Sequence, residues 1–159
     1  MNAARFTLIL LVLLSIDAGA DEALDAAFES DVLVIEATEF ACYRFDVWLA
    51  IERQQQMRGL MHVRDMPDTS GMLFIYGSAD YHSMWMKNTY ISLDIAFVRG
   101  DGSIANIVTN TEPLSLSSIS SIDAVTYVLE LNAGTAERLS IDEQSRLLWG
   151  PGFDTDNDE

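Results

Sequence analysis

The chain has 159 residues and sets 25 acidic side chains against 9 lysines and arginines, for a net charge of −16. A surface this negative repels phosphate backbones and anionic headgroups, which argues against nucleic acid and the membrane surface as partners. The length suits one domain with a real core, the 49% hydrophobic fraction is ordinary for a globular protein, and the lone Cys42 excludes an intrachain disulfide.

Residues 1–20 read as a secretory signal peptide: Arg5 supplies the positive start, residues 6–16 a short apolar stretch, and Ala18-Gly19-Ala20 a small-residue cleavage site. The mature chain then starts at Asp21, which is not the cysteine of a lipoprotein anchor. An uncleaved N-terminal anchor is the alternative. The expected location is periplasmic or extracellular, and no later segment is long and apolar enough to insert into a membrane.

Residues 21–31 are acidic and weakly patterned and read as a flexible lead, after which residues 32–149 form a single β-rich domain. Residues 32–37 open the β region. In residues 43–51, Tyr43, Phe45, Val47, Leu49 and Ile51 alternate with Arg44, Asp46, Trp48 and Ala50, the period of a half-buried strand. Residues 52–61 hold good helix formers and predict a short helix ending near Gly59; residues 62–70 read as a loop. Strands are predicted over 71–76, 81–87 and 91–98, with a hairpin turn at Arg99-Gly100-Asp101-Gly102 and a return over 104–108. Residues 113–124 are Ser-rich and irregular, 125–131 a strand, 133–139 a helical turn or two, 146–149 a last strand and 150–159 an acidic disordered tail. Many short strands with one or two short helices predict a mostly β fold, a sandwich or barrel. Cys42, amid apolar neighbours, is expected to be a small buried hydrophobe.

The chain has no nucleophile elbow, no phosphate-cradling glycine loop and no His-Glu-x-x-His. Its densest segment is His82-Ser83-Met84-Trp85-Met86-Lys87-Asn88-Thr89, followed by Leu93-Asp94. On a strand, Trp85 and Lys87 share one face while His82, Met84 and Met86 share the other. Lys87 is the only lysine, and Asp94 interrupts an apolar strand. The two are expected to pair, because an isolated buried charge costs several kcal/mol. The pair is open to two readings. It can be a binding centre, in which Lys87 and Asn88 donate to an anionic or carbonyl-bearing ligand, Asp94 orients the lysine, and Trp85 and Arg58 border the site. It can equally be a structural ion pair, with Asn88 bonded to backbone at a tight turn. Arg58 and Arg64 flank Gly59-Leu60-Met61 and can line an anion-binding mouth or pair with surface carboxylates. His82, Met84 and Met86 form a soft set that suits Cu(I), against which stands ordinary core packing. A lysine made nucleophilic by burial would give an enzyme, yet a carboxylate beside it works the other way.

Taken in order, these residues resemble a known family. Arg58-Gly59-Leu60-Met61 with Arg64, Gly71-Met72-Leu73-Phe74, Trp85-Met86-Lys87-Asn88-Thr89, Leu93-Asp94-Ile95, Asp101-Gly102, Tyr127-Val128-Leu129-Glu130-Leu131 and Ala133-Gly134 are similar to the bacterial and archaeal domain of unknown function 192, over residues 43–149. The resemblance implies a small, mostly β domain, exported in many members, and no agreed reaction. The chain departs from the pattern at Ser92, where the family has proline, and at Met84, where it has an aromatic residue. It departs again at residues 117–123, where serines replace prolines and leave the loop less restricted, and at Asp142-Glu143-Gln144, where the family has Gly-Asp. The expectation is an exported, non-catalytic binding or accessory module of the cell envelope, with no cofactor and its protein partners left open. A Cu(I) protein and an enzyme with an active-site lysine are the alternatives.

Overall fold

Alternating side chains build a sheet whose two faces are both put to use. The computed structural model describes residues 20–150; but for their boundary residues Ala20 and Gly150, the signal-peptide reading over residues 1–20 and the tail reading over 150–159 lie outside the described residues. A short helix Ala20–Asp25 (α1) leads into the antiparallel hairpin Glu29–Thr38 (β1) and Ala41–Ala50 (β2). The helix Arg53–Arg58 (α2) then carries the chain to Ser70–Asp80 (β3), which lies parallel to β2. Next come Ser83–Met84 (β4), the hairpin Leu93–Val98 (β5) with Ile104–Val108 (β6), Ile119–Ser120 (β7), Val125–Asn132 (β8), the helix Thr135–Leu139 (α3) and Arg146–Leu148 (β9). The main sheet runs β6-β5-β8-β3-β2-β1-β9, and β4 pairs with β7 in a small separate ribbon.

The sheet curls until its two edges meet. Leu147 N–H donates to the Gly102 carbonyl at 2.9 Å, and the Arg146 guanidinium reaches the Asp101 carbonyl at 2.8 Å, tying β9 to the β5–β6 turn. Only glycine fits position 102: its φ is +85°, and a Cβ there would strike the Leu147 carbonyl. The mostly β, barrel-like architecture expected from the short strands is the one observed. The curl encloses one core, in which Leu33 and Phe45 near one edge pack with Val98 and Ile104 near the other, and α3 adds Ala136. The opposite face carries a second core of Trp48, Met72, Phe74, Ile95 and Val128, covered by Leu24, Phe28, Leu60 and Met86.

Four expectations are corrected. The lead at 21–31 is not a loose segment: α1 and the start of β1 occupy it, Leu24 and Phe28 are buried in the outer core, and the Trp48 indole donates to Asp25 at 2.7 Å. Two apolar side chains among acidic neighbours are weak as a pattern but sufficient to dock a short helix. Cys42 is exposed, because the β2 alternation sends it outward with Arg44 and Asp46. Farther along β2, Trp48 and Ala50 are buried as well, since the outer core covers that half of the strand. Finally, only Ser83–Met84 of the strand predicted over 81–87 is ladder-paired, although the face alternation holds: Tyr81, Ser83, Trp85 and Lys87 are exposed, while Met86 is sealed. Among the described residues no helix is long and apolar enough to cross a membrane.

Candidate functional site

Register decides which acid faces which core. Asp94 lies opposite Leu131 and so points into the enclosed core; Glu130 lies opposite Met72 and Ile95 and so points into the outer one. The expected Lys87–Asp94 pair is therefore not formed. The buried Asp94 carboxylate is satisfied by two backbone donors, Asn110 N–H on Oδ1 and Ala136 N–H on Oδ2, both at 2.9 Å. It pins the start of α3 and the turn after β6, and belongs to the scaffold rather than to the site.

The outer face instead holds a cavity of about 100 Å³. Its walls are the C-terminal end of α2 with the turn beyond it, the outer half of β3, and residues 83–89; Glu130 closes it from β8. Local chemistry explains how α2 is held there. The Gln55 side-chain oxygen accepts from Glu52 N–H at 2.9 Å, closing the first turn, and the Gln56 amide donates to the Ile75 carbonyl at 2.7 Å, stitching the helix to β3. Gly59 ends the helix at φ +47°, where a Cβ would lie 3.1 Å from the Phe74 ring. The chain can therefore pass close over Phe74 and form the cavity rim.

Glu130 is the decisive group. Its residue is 4% exposed, and burial, with no opposing charge or hydrogen bond to offset it, pushes its carboxyl from 4.5 up to about 8. At neutral pH it is a carboxylic acid with a proton to donate. Tyr76, beside it in the cavity, is pushed up to about 12, first by burial and then by the nearby Glu130 charge. The Tyr76 hydroxyl points to the Met84 sulfur at 3.8 Å, and its ring stacks on His82 with centroids 3.5 Å apart. Burial lowers the His82 pKa against a smaller opposing effect of Asp80, and its Nε2 is buried with no hydrogen-bond partner.

The sequence-predicted residues divide around this cavity. Trp85, Lys87 and Arg58 line it. Lys87 is exposed, with Nζ 5.0 Å above the Trp85 ring, a cation–π arrangement at the mouth. Arg58 is held by the Phe28 ring at 5.2 Å and by the Ala23 carbonyl at 3.3 Å, so the segment before β1 braces the rim. Arg64 sits over Tyr90 at 4.5 Å. Asn88 does not line the cavity: it takes a left-handed φ of 58° and its carbonyl accepts from His62 N–H at 2.8 Å, the turn role. His82, Met84 and Met86 do face inward together. Each sulfur is nevertheless engaged by a hydroxyl, Met84 by Tyr76 and Met86 by Thr111 at 3.2 Å, and Met86 lies wholly in the core. Among the described residues no group of three or more His, Cys, Asp or Glu side chains is placed to hold a metal.

Sequence reasoning missed Glu130, Tyr76 and Gln56 as site residues. For Glu130 a signal was present: an acid inside the apolar run 125–131, the same anomaly that drew attention to Asp94. Two departures from the family pattern also find their reason. The Ser92 hydroxyl donates to the Thr111 carbonyl at 2.6 Å, and the serines of 117–123 tether their loop: Ser120 and Ser83 hydroxyls meet at 2.8 Å, and the Ser121 hydroxyl accepts from His82 N–H at 3.1 Å. Hydrogen bonds do there what proline stiffness would otherwise do.

Comparison with known proteins agrees with this architecture. No curated protein matches the chain. A solved structure from Sinorhizobium meliloti 1021, provisionally described as a transcription regulator, is similar at 39% identity and a TM-score of 0.74, over 76% of this chain and 93% of its own. A protein of unknown function from Novosphingobium aromaticivorans DSM 12444 is similar at 30% identity and a TM-score of 0.73, over 77% of this chain and 86% of its own. The family model DUF192, an uncharacterized ACR, matches residues 34–149, and the chain belongs to that family.

Proposed function

We propose that this protein is an exported, non-catalytic binding module of the cell envelope, whose outer-face cavity takes a small ligand through a carboxylate or carbonyl group. The observation that carries the reading is Glu130: a carboxyl that burial pushes up to about 8, lining the same small cavity as Lys87, Trp85 and Arg58. A protonated carboxyl that faces the cavity has a donor to offer, and a ligand acceptor placed there would take it. The cations at the mouth favour an anionic group, and a carboxylate meeting a neutral carboxylic acid makes a short, charge-assisted hydrogen bond. The signal-like residues 1–20 support export.

Lys87 stands at the exposed mouth, which supports a steering cation rather than a desolvated nucleophile. The regulator description of the Sinorhizobium relative is a poor guide here, because a net charge of −16 opposes DNA phosphates. The test is a thermal-shift and calorimetric screen of small carboxylates, phosphate and neutral carbonyl compounds. A ligand should raise the melting temperature by mass action, and Glu130→Gln and Lys87→Ala should each weaken it about tenfold or more. A screen without any shift, or hits indifferent to both substitutions, refutes the reading.

A further inference from the structure

Residues 81–90, part of which lines the cavity, pair with residues 114–122 as a two-stranded flap. The β4–β7 ladder pairs Met84 with Ile119, and beyond it Met86 N–H donates to the Ser115 carbonyl and Leu114 N–H to the Thr89 carbonyl, both at 3.1 Å. Its inward side chains, Met84, Met86 and Ile119, join the outer core. Its outward ones are unusual for water. Of the nine large apolar or aromatic side chains exposed among the described residues, six lie on these two segments, including Trp85 at 50%, Leu114 at 54% and Leu116 at 70% exposure. The Met86–Ser115 bond brings Leu116 into the stretch of chain that faces Trp85, and Trp85 itself lines the cavity, so exposed apolar side chains reach from the mouth out over the flap. A cluster of exposed apolar side chains of this kind marks a binding surface.

Resting on the binding reading above, we infer that the ligand is an amphiphilic monocarboxylate: its head enters the cavity between Glu130 and Lys87, and its unbranched apolar tail lies along Trp85, Leu116 and Leu114. The cavity's size agrees with the division, since a space of about 100 Å³ suits a headgroup rather than a whole amphiphile. Charge argues for the head. In a chain of net charge −16, two cations border this cavity, and its one acid is held protonated by burial. The strip argues for the tail, because a small hydrophilic anion would leave these side chains unused.

The experiment is calorimetry at pH 6.5 with acetate, butanoate, hexanoate and octanoate, with octan-1-ol as neutral control. A fully buried methylene contributes about 0.8 kcal/mol, or about fourfold in affinity; a tail half covered on an open strip should gain about twofold per methylene. Octanoate should then bind at least tenfold tighter than butanoate, and octan-1-ol at least tenfold weaker than octanoate. Leu116→Ser and Leu114→Ser should flatten the chain-length dependence while leaving acetate affinity unchanged; both side chains are exposed and neither lines the cavity, so their substitution should not impair folding. Carboxylates that bind equally well at every length, yet respond to Glu130→Gln, would overturn this inference and leave the cavity reading standing. The absence of binding at any length, with Glu130→Gln without effect, would sink both. Tighter binding of a short apolar peptide with a free C-terminus than of octanoate would overturn it in favour of a protein partner.

Discussion

Replacing Glu130 by glutamine should make this protein more stable, and the gain should grow with pH. Unfolded, the Glu130 carboxyl ionises near 4.5; folded, it keeps its proton to about 8. Between those values the native state binds one proton more than the unfolded state, so the unfolding free energy falls by about 1.36 kcal/mol per pH unit. Stability associated with this group is thus full below pH 4.5 and is lost as pH rises toward 8. Over the whole interval the loss is roughly 5 kcal/mol, and by pH 7 it has reached about 3 kcal/mol. Glutamine keeps the shape of the protonated acid without the titration. Urea unfolding of both proteins at intervals from pH 4 to 9 isolates the effect, because every other carboxylate is common to the pair. The two stability curves should coincide near pH 4 and diverge steadily above pH 5, the variant lying higher. Parallel curves would show that Glu130 is already ionised in the native state and would remove the donor on which the binding argument depends.

Other outcomes follow from the same structure. Asp94→Asn replaces one backbone-bonded oxygen by an amide facing Ala136 or Asn110 N–H, so stability should fall by about 1–3 kcal/mol in urea while ligand affinity is unchanged. A chain starting at Glu29 loses the burial of Leu24 and Phe28, about 1.5–3 kcal/mol each, and should be less stable than one starting at Asp21 by about 3–6 kcal/mol; equal midpoints would contradict the packing of α1. Cys42 should react with a thiol reagent in the native protein as fast as in urea, and Cys42→Ser should move stability by no more than about 0.5 kcal/mol.

What the sequence discloses depends on how many neighbours a residue has. In β2 the alternation of Tyr43, Phe45 and Val47 was legible because that half of the strand keeps a solvent face; at Trp48 and Ala50 the pattern breaks because α1 and the chain after α2 cover the other side. The hairpin at 99–102 and the end of α2 at Gly59 were legible because glycine and turn chemistry act locally. The flap's inward and outward faces were correct from period two alone. The cavity was not legible, since it assembles residues from 56 to 130 on four segments, and nothing local states that α2 folds over Phe74. The serine loop was misjudged for a related reason: its order comes from His82 and Ser83, far away in the chain.

Asp94 and Glu130 show why an acid inside an apolar strand is informative only once its partners are known. Both interrupt hydrophobic runs on adjacent strands, and both are buried. The parity of one residue in the ladder sends them to opposite faces. Asp94 accepts from two backbone N–H groups, those of Asn110 and Ala136, and both its oxygens are thereby paired where they stand. Glu130 meets hydrocarbon and a tyrosine, so it keeps its proton to about 8, and it faces the cavity. A buried carboxyl of the first kind is explained in full by folding, because removing it would leave donors unpaired. One of the second kind opposes folding at every pH above its unfolded pKa, and under the binding reading proposed above a ligand that accepts its proton in a hydrogen bond would offset that cost.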